Sequence, residues 1–278
     1  MFYINFLSIF LISFIKFLIY FLIFTIVIAT ITLIERKVLS LVQRRIGPQY
    51  IGYKGRLQFI ADALKLLFKH ILIINKTTRF LIIIIPCLIL ITSYLFWVNL
   101  VWGPNLMVCE IEYNLFLMGI ISLFFSMLLL LVGWVSNSKY AILASNRIIV
   151  STLNLEILLN FLIIFLLIIS ESLSFLQIVS IQSNFKWLIF IYLPILPILI
   201  ITFLLETGRI PFDLAEAESE LIAGFTIEFG GFFFALFYLG EYFHLYCFSV
   251  IYSLSFFGGW FKCLAYIFFY IKHFFLYI

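Results

Sequence analysis

Residues 206–228 gather six of the chain's thirteen acids, Glu206, Asp213, Glu216, Glu218, Glu220 and Glu228, around a single base, Arg209. Asp213 and Glu216 have the spacing of a helix N-cap and its capping-box partner, and Pro211 stops a helix from running through the residues before it. The pattern therefore predicts a short helix over 214–223. Glu216 and Glu220 then share one face, four residues apart, where like charges cost a helix a few tenths of a kcal/mol. Close carboxylates make one another harder to ionise, the more so beneath an apolar cover, and groups poised in that way hold and pass protons. A plain acidic loop in water is the simpler reading. Against it, Phe212, Leu214, Leu221, Ile222 and Phe225 are woven through the acids, which suits burial against a partner.

Further acids interrupt strongly apolar runs. Glu156 lies nine residues past Arg147, about 13 Å along a helix. Glu228 and Glu241 bracket another apolar run, about 20 Å apart on a helix. A charge at the centre of a bilayer costs at least about 2.5–3.5 kcal/mol, and such residues face cavities or partners. With Glu206 these positions suggest a chain of acids leading from a loop toward the membrane interior. Singly, each could instead be a protonated glutamate bonded across helices, and Glu241 could stand at the far interface of its span.

The elements that must hold these groups are helices in lipid. Of 278 residues, 65% are hydrophobic and only 11% charged, too few charges to cover a water-facing surface. That excludes a cytosolic enzyme, a nucleic-acid binder and a disordered chain. Seven apolar runs approach or exceed the roughly 20 residues needed to cross hydrocarbon, near 14–33, 80–101, 115–135, 148–170, 187–205, 226–247 and 254–276. The expected fold is an all-α polytopic membrane protein, 1–278 forming a single transmembrane domain. Period-two alternation, the mark of a barrel, is absent. The 36 phenylalanines, with abundant Ile and Leu, share A/T-rich codons and point to an organelle genome. No small-residue cleavage site follows the first apolar run. Cys87, Cys109, Cys247 and Cys263 lack ligand spacing, so no metal site is expected.

Connections 34–79, 136–147 and 206–225, with Lys272, hold fourteen of the seventeen Lys and Arg. Basic loops stay on the side of insertion. In a mitochondrion this predicts those loops and the C-terminus on the matrix side, with the N-terminus facing the intermembrane space. The first loop holds Arg44-Arg45-Ile46-Gly47-Pro48, then Gly52 and Gly55, an irregular turn. Beyond it Leu57, Ile60, Ala61, Leu64, Leu67, Phe68 and Ile71 recur at helical spacing opposite Gln58, Asp62, Lys65 and Lys69. The result is an amphipathic helix fit for a membrane surface. Anchoring to anionic lipid headgroups explains its charge. Alternatively Arg36, Asp62 and Lys65 line a polar pocket for a small headgroup with a greasy tail.

Two runs carry a family resemblance. Glu35-Arg36-Lys37, Gln43, Arg45, Gly47-Pro48, Gly52, Gly55, Gln58, Ala61-Asp62-Ala63 and Lys65 form the first. Glu206-Thr207, Arg209, Pro211-Phe212-Asp213-Leu214-Ala215-Glu216, Glu218-Ser219-Glu220-Leu221, Gly224-Phe225 and Glu228 form the second. Together with Trp134, Ser136-Asn137-Ser138-Lys139-Tyr140-Ala141, Arg147 and Glu156, they resemble NADH:ubiquinone oxidoreductase chain 1. That family is the quinone-site membrane subunit of respiratory complex I. Ser151, Leu155 and Ile46 depart from its usual pattern.

The resemblance implies a mitochondrial inner-membrane subunit without a redox centre of its own. Ubiquinone would be the substrate, while NAD, FMN and iron–sulfur clusters belong to other subunits. Glu35, Arg36, Asp62, Lys65, Arg209 and Phe225 would lie at the quinone path. Glu156, Glu206, Asp213, Glu216, Glu218, Glu220, Glu228 and Glu241 would form the proton-coupled set. Implied partners are the peripheral quinone-site subunits, the antiporter-like membrane subunits and membrane lipids. The family continues into a basic loop and an eighth helix, so a second polypeptide is expected to supply them. The rival readings are a membrane subunit of a hydrogenase-type complex and a cation or proton transporter; the latter predicts internal repeats.

Overall fold

The computed structural model describes residues 2–70, 79–103, 111–184, 187–206, 208, 212, 224–226 and 228–260, without the side chains of 2–14, 16, 17, 79, 184 and 225. The described residues form helices and no strand: α1 (Phe2–Val42), α2 (Gln58–Phe68), α3 (Arg79–Val98), α4 (Asn114–Ser136), α5 (Lys139–Ser170), α6 (Phe175–Asn184), α7 (Leu188–Ile191), α8 (Leu196–Glu206) and α9 (Phe232–Phe256). Among the described residues, five stretches are long and apolar enough to cross a membrane, Leu18–Val42, Phe80–Val98, Asn114–Ser136, Lys139–Ser170 and Phe232–Phe256, and Leu193–Glu206 is a shorter apolar one. The chain is an all-α polytopic membrane protein. Its two compact units are Met1–Phe68 and Lys69–Ile278.

In the first unit the loop after α1 turns at Arg44 and Lys54, both at positive φ, and at Gly52 and Gly55. Gly55 is required sterically as well, since a Cβ there would lie 2.1 Å from the Pro48 carbonyl oxygen. The loop leads into α2, the expected amphipathic helix, none of whose residues is buried. Ile60, Leu64, Leu67 and Phe68 stand exposed on it. In water such a stripe is a liability; at a headgroup boundary it is a binding face.

In the second unit the core joins α3, α4, α5 and α9 through Ile85, Ile89, Phe125, Val132, Ala144 and Phe237. The α4–α5 hairpin is tight: Asn137 takes a left-handed conformation at φ 50, and the Ser138 hydroxyl accepts a hydrogen bond from the Ala141 N–H as the N-cap of α5. Gly133 lets the two helices touch, because a Cβ there would lie 2.1 Å from Ser145 Oγ. Across the core, Gly240 of α9 faces Ile89 of α3, where a Cβ would lie 2.8 Å from the Ile89 Cγ2 methyl. Gln182 on α6 donates to the carbonyls of Leu254 and Ser255 at 3.0 and 2.9 Å, satisfying acceptors that the end of α9 leaves open.

Three boundaries differ from the expectation. The connection 136–147 shrinks to two residues, so Tyr140 and Arg147 lie within α5 rather than ahead of a span; the Ser138 cap starts that helix earlier than hydropathy alone suggests. The run 187–205 is not one helix. It breaks into α7, a 3-10 turn at Leu193–Ile195 and α8, with Pro194 and Pro197 interrupting regular bonding. α9 begins at Phe232 and continues to Phe256, so Glu241 sits near its middle and Glu228 lies before it. The predicted helix 214–223 and the run beyond residue 260 lie outside the described residues.

Candidate functional site

The second unit buries a set of polar side chains where α5, α8 and α9 approach. Glu206 is the last residue of α8. Its Oε1 lies 3.8 Å from His244 Nε2 of α9, and the two side chains are only 8% and 7% exposed. Glu156 of α5 is half-buried and close enough to Glu206 for their charges to interact. Tyr252 of α9 is also within electrostatic reach of Glu206, and its hydroxyl meets Thr202 Oγ1 of α8 at 2.8 Å. Three helices thus bring two carboxyls, an imidazole and two hydroxyls into an apolar interior. Burying such groups is costly unless they pair or share protons.

The imidazole is held by aromatic rings. Phe125 of α4 stacks on it at 4.2 Å, Phe96 of α3 meets it edge-on at 5.1 Å, and Phe248 of α9 packs at 4.8 Å. Beside the cluster is a cavity of about 220 Å³ between α4, α5 and α9. Glu156, Asn160, Ser122, Tyr252 and Ser255 supply its polar lining, within walls that are otherwise largely aliphatic and aromatic. Its volume is ample for several waters. Glu241 lies three residues before His244 and is half-buried, which puts both on one side of α9. Glu228 is half-buried in the turn ahead of that helix.

The first unit has its own polar centre. Arg36 on α1 and Asp62 on α2 form an ion pair, Arg36 Nη1 donating to Asp62 Oδ2 at 2.5 Å. Gln58 Nε2 donates to the other carboxylate oxygen at 3.1 Å. Lys37 Nζ donates to the Lys54 carbonyl at 2.7 Å, tying the irregular loop to α1. Lys65 is exposed one turn beyond Asp62 and Glu35 is half-buried beside Arg36. The structure thus joins Arg36 to Asp62 and leaves Lys65 outside that pair's hydrogen bonds.

Among the predicted site residues, Glu156 lies within electrostatic reach of Glu206, and Glu241 lies on the same helix as the histidine. Arg209, Asp213, Glu216, Glu218 and Glu220 lie outside the described residues, and Phe225 is described by its backbone only. Sequence reasoning missed His244, Thr202 and Tyr252. The rule that singled out Glu156, an ionisable residue in an apolar run, also applies to His244. No comparable signal marks Thr202 or Tyr252, whose hydroxyls are ordinary in membrane helices. Among the described residues, no three His, Cys, Asp or Glu side chains gather as a metal site.

A polytopic helical membrane protein with ionisable groups buried between its helices is a class shared by proton-translocating enzymes and transporters. The comparisons narrow it. The pattern of the NADH dehydrogenase family matches residues 15–278, and the chain belongs to that family. It is 48% identical over 236 residues to the NADH-ubiquinone oxidoreductase chain 1 of Paramecium tetraurelia, covering 85% of this chain and 90% of that one. It is 35% identical over 256 residues to an NADH-quinone oxidoreductase subunit of Vesicomyosocius okutanii, covering 91% of this chain and 71% of the relative.

Proposed function

We propose that this chain is the quinone-site membrane subunit of a proton-pumping NADH:ubiquinone oxidoreductase in the mitochondrial inner membrane. In this reading it contributes the membrane wall of the quinone cavity and begins the proton route. It carries no redox centre; NAD, FMN and iron–sulfur clusters sit in neighbouring subunits. Peripheral quinone-site subunits cover its basic loops, and antiporter-like subunits receive the coupled protons. The clustering of basic residues on 34–79 supports a matrix-side location for that loop, with the N-terminus on the intermembrane-space side.

The observation that carries the reading is the burial of Glu206 against His244 at 3.8 Å, with Glu156 within electrostatic reach, inside an apolar bundle. Two acids in that setting do not favour being ionised together, so the charge state of one biases the other. A redox step that delivers negative charge nearby shifts protons among them, which is what coupling requires. Ubiquinone reduction takes two electrons and two protons, leaving the neighbouring groups short of protons until they are replaced. Glu35, Arg36, Asp62, Lys65, Arg209 and Phe225 are assigned to the quinone path. Glu228, Glu241, Asp213, Glu216, Glu218 and Glu220 are assigned with Glu156 and Glu206 to proton coupling.

The test is E206Q in the assembled enzyme. The expected result is a fall of about tenfold or more in NADH:ubiquinone reductase activity, with NADH oxidation by ferricyanide retained. Wild-type quinone reduction and proton pumping in E206Q would overturn the role of this cluster.

A further inference from the structure

α9 buries an imidazole at the centre of the polar cluster. His244 is 5% exposed, and its Nε2 is enclosed without a hydrogen-bond partner. A ring nitrogen in that state costs stability that a phenylalanine of similar shape would avoid. Packing against Phe125, Phe96 and Phe248 therefore explains the ring but not its Nε2. What faces the unsatisfied nitrogen is an acid, Glu206 Oε1 at 3.8 Å, itself buried. That gap is slightly beyond a hydrogen bond, and proton-transfer contacts are often this loose before the reacting state tightens them.

We propose that His244 is the proton carrier between Glu206 on α8 and Glu241 on α9. The inference rests on the coupling role of the buried carboxylates given above. In the first step the Glu206 O–H bond breaks and an N–H bond forms at His244 Nε2, leaving a carboxylate beside an imidazolium. The pair stays neutral overall, so the transfer avoids a lone charge in the bundle. In the second step the imidazolium releases the proton on its other nitrogen, Nδ1, to the Glu241 carboxylate. Glu241 lies three residues back on the same helix, about 4.5 Å along its axis. Overall, protonated Glu206 and ionised Glu241 become ionised Glu206 and protonated Glu241, and the imidazole ends neutral.

The groups around the ring fit this direction of travel. α8 presents Glu206, and α5 presents Glu156 within electrostatic reach of it. α9 itself contributes Glu241 and Tyr252. α3 contributes Tyr94, whose ring lies 4.4 Å from Phe243, and α4 contributes the Phe125 stack. An imidazole can take a proton on one ring nitrogen and release one from the other, which the phenylalanines packed around it cannot do.

The experiment is H244F in the assembled enzyme, which keeps a ring against Phe125 and removes both nitrogens. The expected result is a fall of about tenfold or more in kcat for ubiquinone reduction, with KM for the quinone and ferricyanide reductase activity within twofold of wild type. If H244F fails to assemble, H244N is measured in its place, since it can bond Glu206 but carries no transferable charge; the same loss is expected. Wild-type kcat in an assembled H244F or H244N enzyme overturns the proposal. E206Q run in parallel separates the two readings. A defect in E206Q alone sinks the histidine carrier and leaves the carboxylate reading standing, whereas wild-type activity in E206Q sinks the latter.

Discussion

The hydroxyls of Thr202 and Tyr252 meet at 2.8 Å between α8 and α9, one helical turn before Glu206. Thr202 Oγ1 also donates to the Leu199 carbonyl at 2.9 Å, so its single proton is spent within α8 and Tyr252 must donate to Thr202. The bond is directional. It holds the two helices together beside the point where Glu206 faces His244, in a bundle where greasy contacts alone fix no register.

Y252F deletes the donor and leaves Thr202 satisfied by Leu199. The expected cost is about 1 kcal/mol, read as a lower denaturation midpoint of the purified enzyme in urea. T202V removes the acceptor and orphans the buried Tyr252 hydroxyl, so it should cost more than Y252F. The reverse order would show that the hydroxyl pair does not tie α8 to α9.

Much of the fold is legible because lipid imposes length and apolarity on a span, and α3 and α4 fall within two or three residues of the runs that predict them. The start of α5 is hidden because Asn137 and Ser138 act through a left-handed turn and a cap, local signals that an average over many residues blurs. Pro194 and Pro197 are visible in the sequence, yet the apolar run continues straight through them. The acids of the site stand out because charge in hydrocarbon is costly. Their partners do not, since the approach of His244 to Glu206 is set by how α8 packs on α9, and no spacing along the chain encodes it.

Gly133 and Ser145 test the α4–α5 contact. A Cβ at 133 would lie 2.1 Å from Ser145 Oγ, 2.4 Å from its Cβ and 2.7 Å from the Ala141 carbonyl. G133A should therefore force the hairpin apart, at about 1–3 kcal/mol, seen as reduced yield of assembled enzyme. Adding S145G removes two of the three clashes, and the pair should recover part of the loss. Additive damage in the double variant would contradict the close approach.

The Arg36–Asp62 pair is substantially exposed, the side chains being 56% and 35% accessible. Its direct contribution to stability is at most about 1 kcal/mol. If the pair serves only to hold α2 on α1, exchanging the charges as R36D together with D62R should preserve function. On the quinone-path assignment the exchange should instead raise KM for a short-chain ubiquinone several-fold, with protein yield close to wild type. Steady-state kinetics with two quinones of different tail length measures this. An unchanged KM would remove both residues from the quinone path.

Asp213 and Glu216 allow charge to be separated from capping. Asparagine caps a helix N-terminus about as well as aspartate, and glutamine completes a capping box as glutamate does. If the cap predicted from the sequence forms, D213N and E216Q remove a negative charge while leaving its hydrogen bonds available, whereas D213A loses both, with roughly 1 kcal/mol of helix stability going with the cap. The expected outcome is a several-fold loss of NADH:ubiquinone activity in D213N and E216Q, with ferricyanide reduction intact. D213A should show the same catalytic loss plus a lower yield of assembled enzyme. Equal loss of both activities in all three variants would mean that the segment serves assembly, and normal quinone reduction in D213N and E216Q would mean that its charge takes no part in coupling.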